Sequence, residues 1–557
     1  MNHNYRAIGE ITGISGHNPA FVVYDLLNRS SSHSFTEIDS LACQLANSLV
    51  YAGLKRQDRI VIMLNDPLPF LVTFMGVCKA GGIAVPIHVR AGLAKENVFI
   101  EQTRHIIEDC SPFCIIHSGT LELAPSLKSF TYGELITNNK KESPTEGMDL
   151  RDRIALLQYT SGSTGNPKGV IITHGNLLAN MRMIAEGLHA EKGDSSLSWL
   201  PLNHDMGLIG GLLAPISQKL DTHLMPTESF IARPLRWLQN LSEKKISYSA
   251  GPNFAFSLIM KIVERQTSPL ENLDLQHVKA LVCGAERCDD QTALAFTNYF
   301  SRFGLRSAAI TPAYGLAECT LVVSMKNFRG PFKILSFDNL HFAERGIIEL
   351  SSNGASAQKI VSVGRPVPGV EIQIRDENKN LLGPGFCGEI LVKGPANTTG
   401  YWNNIKPSGL FDQEWLKTGD LGFIWEDELY IAGRIKELII NRGRNFHPFD
   451  IEKSITAVAG VQEGRCVALS DNNQESGTED LIVLIESQLH HTQDSDQARA
   501  LIAQVEANII TNFDITAGDI VLVPRNTIAK TTSGKIRRAR CLENYRNFKT
   551  GKINHDS

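Results

Sequence analysis

The sequence lacks closely paired cysteines, and the spacing of its cysteines argues against the common cysteine-based sites. Its 557 residues include ten cysteines, spread from Cys43 to Cys541, and none of them forms a C-x-x-C pair. The nearest neighbours are Cys110 with Cys114 and Cys283 with Cys288. This pattern argues against a zinc site or a disulfide framework, and it is typical of a protein in a reducing compartment.

Long apolar runs and an excess of one charge are also missing. No uncharged apolar segment approaches the length of a membrane span, and the N-terminus lacks the basic and apolar regions of a signal peptide. The formal net charge of −4 provides no overall attraction for nucleic acid or anionic lipid. We therefore expect a cytoplasmic protein with no membrane span and no nucleic-acid partner.

The first half of the chain alternates helical and strand patterns. Phe35–Ala52 has apolar residues at helical spacing and ends at Gly53, Arg59–Leu64 is a short strand-like run, and Phe70–Lys79 is helical again. The rhythm recurs at Ile246–Ala250, Val278–Cys283 and Ser307–Thr311. Such β-α-β alternation is typical of parallel sheets with helices on their faces, which is an α/β fold.

The pattern changes twice in the second half. After Val361, the short β-rich runs VEIQI, GEILVKG and ELYIAG predict a small antiparallel barrel or sheet. After Arg434, a strand-like run, the helical DIEKSITAVA, the apolar LIVLIES and a helix near Asp496–Phe513 predict a compact α+β unit. We predict a large α/β domain over residues 1–433, with a β-barrel-like subdomain over about 335–433, and a mobile α+β domain over 434–557.

One loop is unusually rich in glycine and hydroxyl side chains. Residues 157–178 read LQYTSGSTGNPKGVIITHGNLL, with apolar runs on both sides of the loop. Glycines allow consecutive N–H groups to point into one concavity, and with Lys168 such a nest suits a polyphosphate. It is not a Walker A loop, because Pro167 precedes the lysine and Gly169 follows it. A plain glycine-serine hairpin between two strands is the alternative.

Four further motifs follow in a defined order. They are YGLAE at Tyr314–Glu318, TGD at Thr418–Asp420, GRIKELII at Gly433–Ile440 and KTTSGK at Lys530–Lys535. Together with the loop they resemble the adenylate-forming superfamily, which includes acyl-CoA synthetases, luciferases, peptide-synthetase adenylation domains and fatty acyl-AMP ligases. The resemblance covers nearly the whole chain, and ordered motifs are far more specific than any one of them.

Several details resemble the fatty acyl-AMP ligases in particular. They are SWLPLNHDMGLIGG at Ser198–Gly211, ARPLRWL at Ala232–Leu238, GPNFAF at Gly251–Phe256, GRNFHPFDIE at Gly443–Glu452, and Ala317 within YGLAE. The long interval between Glu318 and Gly364 is where we expect the insertion typical of these ligases. Cys283 and Ala529 depart from the usual pattern, where Asn and Pro are common.

The resemblance implies a set of nucleotide-binding residues. For the triphosphate they are Thr160, Ser161, Gly162, Ser163, Thr164, Gly165 and Lys168. For the adenine they are Gly284, Ala285, Glu286, Tyr314 and Gly315. Asp420 would accept the ribose hydroxyls, Arg434 would reach ribose or phosphate, and Glu318 would hold Mg²⁺, which needs few protein carboxylates when phosphate oxygens are present.

The resemblance also implies residues for catalysis, movement and substrate binding. Lys535 would contact the carboxylate and the α-phosphate, because a mobile ammonium stabilises the charge that develops between two anions. His204 would lie by the carboxylate site, Lys436 would be the hinge residue, and Phe254 would line an apolar tunnel together with Phe256. For Asp205 no role is chosen.

Each of these residues also has a plainer explanation. Lys535 is the first residue of the basic run KIRRAR, and such runs are usually solvated. Glu318 could be a helix-start carboxylate, Asp420 a turn residue and Arg434 a member of a surface ion pair. The aromatic residues and His204 could simply be packed side chains.

The implied function is ATP-dependent activation of a medium- or long-chain fatty acid to an acyl-adenylate with release of pyrophosphate. The expected acceptor is the phosphopantetheine thiol of an acyl carrier protein acting in trans, because few residues follow Lys535. One alternative is a fatty acyl-CoA ligase, which shares every adenylation motif. Another, of a different class, is a non-catalytic regulator that binds nucleotide or lipid.

Overall fold

The structure is a computed structural model, and it describes most of the chain. The described residues are 5–13, 20–88, 96–119, 127–136, 142–160, 167–265, 270, 272–327, 329–351, 357–405, 407–441, 444–473, 478–492, 495–530 and 535–549.

An eight-stranded sheet is built from the first part of the chain. Its strands, in spatial order, are Asn404–Ile405, Gly400–Tyr401, Lys168–Thr173, Ile154–Thr160, Ile83–Pro86, Arg59–Met63, Cys114–His117 and Ser129–Thr131. The strands from Ile154–Thr160 onwards pair in parallel. Ile154–Thr160 and Lys168–Thr173 form an antiparallel pair, so the glycine-hydroxyl loop joins two neighbouring strands.

A nine-stranded sheet forms the second layer. Its strands, in spatial order, are Arg365–Pro366, Val322–Met325, Ile310–Gly315, Ala280–Cys283, Tyr248–Gly251, Ser195–Ser198, Asp221–Leu224, Ala20–Tyr24 and Ser30–Ser34. The central strands run parallel, and the two pairs that involve Val322–Met325 are antiparallel. Central strands covered on both faces explain the near-continuous apolar runs in the sequence.

Helices cover these sheets. The helices before residue 350 are Phe35–Tyr51, Pro67–Lys79, Glu96–Cys110, Tyr132–Leu135, His174–Leu188, Ala214–Ser217, Thr227–Ala232, Leu235–Glu243, Asn253–Arg265, Asp290–Phe300 and Asn339–Arg345, with a π-helix at Met206–Leu213. Pro67–Lys79 is buried nearly all round, as expected of a helix that is apolar on every face. It packs closely on Phe35–Tyr51, because a Cβ at Gly76 would lie only 2.6 Å from Leu45 Cδ2.

A five-stranded antiparallel sheet follows the second large sheet. It consists of Glu371–Arg375, Gly388–Lys393, Trp415–Trp425, Phe411–Asp412 and Glu428–Arg434, the last pairing with Trp415–Trp425. Before it lies a hairpin of Ile334–Asp338 with Ala357–Val361.

The C-terminal unit, residues 434–549, has its own apolar core. Its strands are Ile439–Asn441, Arg444–Phe446, Cys466–Asn473, Thr478–Glu486 and Ala517–Val523, and its helices are Pro448–Ile455, Asp496–Phe513 and Arg538–Lys549. Buried side chains from the strands and helices of this unit form two clusters. The predicted fold class, a large α/β part with parallel sheets and a smaller α+β C-terminal part, is confirmed, and the domain boundaries stay a prediction.

Candidate active site

The described residues surround a cavity of about 970 Å³ where the large sheets, the five-stranded sheet and the C-terminal unit meet. Most of the predicted site residues line it. They are Thr160, Lys168, His204, Gly284, Ala285, Tyr314, Gly315, Glu318, Arg434, Lys436 and Lys535. The fold therefore brings motifs that are far apart in the sequence to one place.

The ends of the glycine-hydroxyl loop lie at this cavity. Thr160 and Lys168 are paired residues on neighbouring strands. The Lys168 ammonium lies 5.2 Å from the centre of the Tyr401 ring, and a ring nitrogen of His105 lies 3.2 Å from the Pro167 carbonyl oxygen. Of the residues predicted for the triphosphate, Ser161, Gly162, Ser163, Thr164 and Gly165 lie outside the described residues.

Tyr314, Asp420 and Arg434 form one connected polar group. The Tyr314 hydroxyl donates to Asp420 Oδ2 at 2.6 Å, and Arg434 Nε lies 3.0 Å from Asp420 Oδ1. Asp420 and Arg434 are partners across two antiparallel strands, and the Asp420 N–H donates to Thr418 Oγ1. Burial, and next the Asp420 charge, hold the pKa of Tyr314 well above its usual value. The carboxylate is thus held rigidly beside the cavity.

The GAE segment has a strained backbone. Ala285 has φ of 67°, a conformation that residues with a Cβ seldom adopt and that is often found at functional sites. Gly284 and Ala285 line the cavity, whereas Glu286 lies beside it and accepts a hydrogen bond from the Phe254 N–H at 2.6 Å. Burial raises the pKa of the Glu286 carboxyl.

The prediction that Phe254 lines the substrate pocket is not matched by its position. Phe254 does not belong to the described lining of the cavity, and it is 37% exposed, with its ring edge-on to Trp199 at 6.2 Å. Phe256 is buried and packs on Trp237 and Phe296. Phe254 lies in the first turn of the helix Asn253–Arg265, and it is not among the buried residues of that helix.

Glu318 is a suitable ligand for a magnesium ion. Its Oε1 accepts a hydrogen bond from the Tyr401 hydroxyl at 2.8 Å, which orients the carboxylate at the cavity. Within the described ranges, no group of three or more His, Cys, Asp or Glu side chains could hold a metal by itself. This fits Mg²⁺, which commonly binds one or two protein carboxylates and completes its shell with water and substrate phosphate oxygens.

Both His204 and Lys535 line the cavity. Burial lowers the pKa of His204, the Asp205 carboxylate opposes this effect, and the Lys535 ammonium lowers the pKa further. The lowered pKa favours the neutral imidazole, which does not repel the ammonium. Asp205 also lines the cavity, and its carboxylate accepts a hydrogen bond from the Met206 N–H at the start of the π-helix.

Ion pairs hold the C-terminal unit against the α/β part. Lys453 Nζ lies 2.5 Å from carboxylate oxygens of both Asp289 and Asp290, and Arg287 pairs with Asp450 at 2.5 Å. Asp290 and Asp450 are buried, so these pairs are largely shielded from solvent. In this orientation Lys535 lies at the cavity.

The long interval between Glu318 and Gly364 also touches the C-terminal unit. It contains the hairpin described above and the helix Asn339–Arg345 between its strands. The Phe342 ring stacks on His447 at 6.1 Å, and Ala343 belongs to one of the two apolar clusters of the C-terminal unit. Whether this segment is the insertion expected from the sequence stays a prediction.

Comparisons with known proteins agree with this geometry. Residues 15–402 match the family model described as "AMP-binding enzyme". The chain belongs to the AMP-binding enzyme family. Residues 436–555 match a second model, described as "Disco-interacting protein 2-like, AMP domain".

Individual relatives of this adenylate-forming enzyme give a finer comparison. The long-chain-fatty-acid–AMP ligase FadD26 of Mycobacterium tuberculosis is 33% identical over 551 residues, which cover 93% of this chain and 92% of that protein. A structure from a study of fatty acyl-adenylate ligases of E. coli and L. pneumophila has a TM-score of 0.88 at 28% identity, and the match covers 99% of both chains. Another, of a fatty acyl-adenylate ligase from L. pneumophila with acyl adenylate and pyrophosphate, has a TM-score of 0.74 at 29% identity, covering 98% and 97%.

These findings confirm two predictions made from the sequence. The chain is an enzyme of the adenylate-forming superfamily, and within it the chain is most similar to fatty acyl-AMP ligases. In the part of the chain that the structure describes, no helix is both long and apolar enough to span a membrane. The roles of the individual site residues stay predictions.

The sequence did not indicate one part of the cavity of this enzyme. Part of its lining is mainly apolar, and we call this part the apolar limb; it consists chiefly of Ile184, Leu188, Leu197, Tyr248, Val282, Leu321, Val322 and Met325. These residues come from helices and strands that are far apart in the chain, so no local motif identifies them. Tyr401 and Trp402 also line the cavity; the sequence analysis did not select them, although the aromatic pair in the short run GYWNN could have indicated them.

Proposed function

We propose that this enzyme joins a medium- or long-chain fatty acid to ATP, forming an acyl-adenylate and releasing pyrophosphate. One observation carries the proposal: Lys535 lines the same cavity as Tyr314, Arg434 and Glu318, and that cavity includes the apolar limb. Asp420 is bonded to both Tyr314 and Arg434 beside it. Activation of a fatty acid needs this combination, because the carboxylate must contact the nucleotide while the alkyl chain is buried away from water.

The chemical step requires the stabilisation of charge. An oxygen of the fatty-acid carboxylate forms a bond to the α-phosphorus, the bond from that phosphorus to the bridging oxygen of pyrophosphate breaks, and pyrophosphate leaves with that electron pair. Because two anions approach one another, the Lys535 ammonium is placed to stabilise the transition state. The neutral His204 lies close by without competing for the carboxylate.

The nucleotide would be held by three groups of residues. Asp420, oriented by Tyr314 and Arg434, would accept the ribose hydroxyls. Lys168 and the loop after Thr160 would bind the triphosphate. Glu318 would hold Mg²⁺, which supplies positive charge to the phosphate oxygens when it is bound.

The second half-reaction would transfer the acyl group to the phosphopantetheine thiol of an acyl carrier protein in trans. Lys436 lines the cavity within the short turn Ile435–Glu437, directly after the five-stranded sheet, and there it could act as the hinge for movement of the C-terminal unit. CoA is the alternative acceptor. A cytoplasmic location is part of the same proposal.

A reaction panel tests the proposal. The protein is incubated with ATP, Mg²⁺ and saturated acids of different lengths, alone, with CoA, and with a phosphopantetheinylated carrier protein, and the products are identified by mass spectrometry. We expect acyl-adenylate in every arm and acyl-carrier in the third. Formation of acyl-CoA would instead favour the CoA-ligase alternative, and absence of acid-dependent pyrophosphate exchange with all acids would favour a non-catalytic regulator.

Replacing the proposed catalytic lysine completes the test. Lys535→Gln removes one charge from the cavity and should slow pyrophosphate exchange by about 100-fold or more, the usual cost of losing one electrostatic contact to a transition state. Lys549→Gln is the matched control, because Lys549 pairs with Asp519 on the surface of the same C-terminal unit. Equal exchange rates for both variants would contradict the assigned role of Lys535.

A further inference from the structure

Met325 lies between the apolar limb and a second cavity. It is the last residue of the strand Val322–Met325, and it is only 7% exposed. It lines both the active-site cavity and a second cavity of about 860 Å³. Its strand partner on one side, Ala313, lines the first cavity, and its partner on the other side, Arg365, lines the second.

One helix forms the rest of the boundary between these cavities. In His174–Leu188, Ile184 and Leu188 face the apolar limb, whereas Ala185 and Gly187 face the second cavity. A Cβ added at Gly187 would lie 3.4 Å from Met325 Sδ and 3.9 Å from Met325 Cε. The end of the methionine side chain therefore lies against the helix at this glycine and fills the gap between helix and strand.

The two sides of this boundary differ in chemistry. The second cavity has several cationic or imidazole side chains in its lining, namely Arg182, His189, Lys326, Lys333 and Arg365. Lys326 is buried there, and its ammonium donates to the carbonyl oxygens of Ala308 and Gly330, each at 2.6 Å. Burying a saturated alkyl chain in the apolar limb is favourable, whereas placing it among the charged groups of the second cavity would be unfavourable because those groups would lose water.

We propose that Met325 ends the acyl-binding limb and thereby sets the longest fatty acid that the enzyme accepts. The inference rests on the proposed function, since it assumes that the limb receives the acyl chain. Each methylene that is buried improves affinity by about fourfold, so acids should bind better with length until they reach Met325. Longer acids must displace the methionine, whose unbranched side chain can move to some extent, so activity should decline over a few carbons.

Opposite substitutions at this residue test the proposal. Specificity constants for adenylation are measured by pyrophosphate exchange for saturated acids from C4 to C20. Met325→Ala removes three side-chain heavy atoms and should move the preferred length upward by roughly two to three carbons, whereas Met325→Phe should move it downward. Met325→Val removes less volume and should give a smaller upward shift, which keeps the test decisive should the alanine variant be unstable.

Met183→Ala is the matched control. Met183 is a buried methionine on the same helix, and it does not belong to the described lining of either cavity. Its replacement by alanine should lower the midpoint temperature of thermal unfolding, as other large-to-small substitutions in a core do. The dependence of activity on acyl chain length should be unchanged.

The outcomes separate this inference from the function on which it rests. Suppose that the parent protein and the Met325 variants all catalyse pyrophosphate exchange with short acids and show the same dependence of activity on chain length. The role of Met325 is then overturned, and the proposed function stands. If the parent protein exchanges no acid of any length, the proposed function is overturned and this inference falls with it.

Discussion

The Tyr314 hydroxyl and the Asp420 carboxylate are joined by a hydrogen bond of 2.6 Å, although 106 positions separate them in the sequence. Tyr314 is the penultimate residue of the strand Ile310–Gly315 in the nine-stranded sheet, and Asp420 belongs to the five-stranded sheet. Since Arg434 pairs with the other oxygen of the carboxylate, Asp420 is held in one orientation. The bond therefore ties two sheets together at the point where we expect the ribose to bind.

This relationship predicts unequal effects of two conservative substitutions. Asp420→Asn removes a charge to which Arg434 and the nucleotide would bond, so we expect ATP affinity to fall by about 1.5–3 kcal/mol. Tyr314→Phe keeps the ring and loses one neutral donor, so the loss should be about 0.5–1.5 kcal/mol. Isothermal titration with ATP measures both. A larger loss for Tyr314→Phe than for Asp420→Asn would contradict the assigned role of the carboxylate.

The ion pairs at the interface predict a rate effect that is separate from nucleotide affinity. Lys453→Met leaves Asp289 and the buried Asp290 without their shared cation, which should disfavour the docked position of the C-terminal unit. We expect pyrophosphate exchange to slow by about tenfold or more, with ATP affinity unchanged. The control is Lys261→Met at the same interface, where the pair with Glu463 is exposed on both sides. Such exposed pairs contribute about 0–1 kcal/mol, so equal slowing in both variants would contradict the prediction.

Ser196 predicts a gain of stability. Its hydroxyl is buried, lies at the cavity wall, and has no hydrogen-bond partner among the described residues. A buried polar group without a partner costs about 1–3 kcal/mol. Ser196→Ala should therefore raise the free energy of unfolding by up to about 1–3 kcal/mol, as measured by denaturant unfolding.

Ser249→Ala is the control for this prediction. The Ser249 hydroxyl also lines the cavity, but it donates to the Leu197 carbonyl oxygen and accepts from Trp237 Nε1. Removing it strands the buried indole N–H, so stability should fall by about 1–3 kcal/mol. A loss of stability in Ser196→Ala as large as that in Ser249→Ala would contradict the prediction.

His174 predicts a loss of stability in mild acid. The side chain is fully buried, its Nδ1 accepts from the Ile8 N–H at 3.1 Å, and burial lowers its pKa to about 4. The unfolded chain takes up a proton below pH ~6.5, whereas the folded protein does so only near pH 4. As the pH falls from about 6.5 towards 4, the free energy of unfolding should therefore decrease by up to about 1.4 kcal/mol per pH unit. Above pH ~6.5 this histidine should have no effect on the pH dependence of stability.

Denaturant unfolding at about pH 7.5, 6, 5 and 4.5 would measure this dependence, because these values cover the range in which His174 titrates in the unfolded and folded states. His174→Asn retains an acceptor for the Ile8 N–H and cannot take up the proton. The free energy of unfolding of the variant should depend less steeply on pH, and the difference in slope should correspond to at most one proton bound on unfolding. Parallel curves for the parent protein and the variant would contradict the prediction.

The sequence predicted secondary structure well wherever the periodic pattern and the end signals agreed. Phe35–Ala52 was predicted as one helix, and the structure has Phe35–Tyr51, with the Ser34 hydroxyl accepting from the Glu37 N–H at its start. The helix near Asp496–Phe513 has those bounds, and the Ser495 hydroxyl accepts from the Ala498 N–H. Such capping is local, so it can be read without knowledge of the fold.

The polar end of the candidate site could also be predicted, and the apolar end could not. The polar residues lie in short motifs with glycines and charges at fixed spacing, and most of them line one cavity. Phe254 and Phe256 were the residues predicted from the sequence to line an apolar tunnel, and neither belongs to the described lining of the cavity. Apolar residues are the ordinary content of a core, so their type alone does not distinguish a pocket wall from packing.

The amino-acid sequence by itself determined the order of strands and helices, the change from parallel to antiparallel sheets, and the motifs that identify an adenylate-forming enzyme. These properties depend on neighbours within a few residues, where periodicity, turns and caps act. Only the tertiary structure decided which side chains share the cavity, that Met325 separates it from a second one, and that Lys453 pairs across to Asp290. Such contacts join segments that are far apart in the chain, so they exist only after packing has brought those segments together.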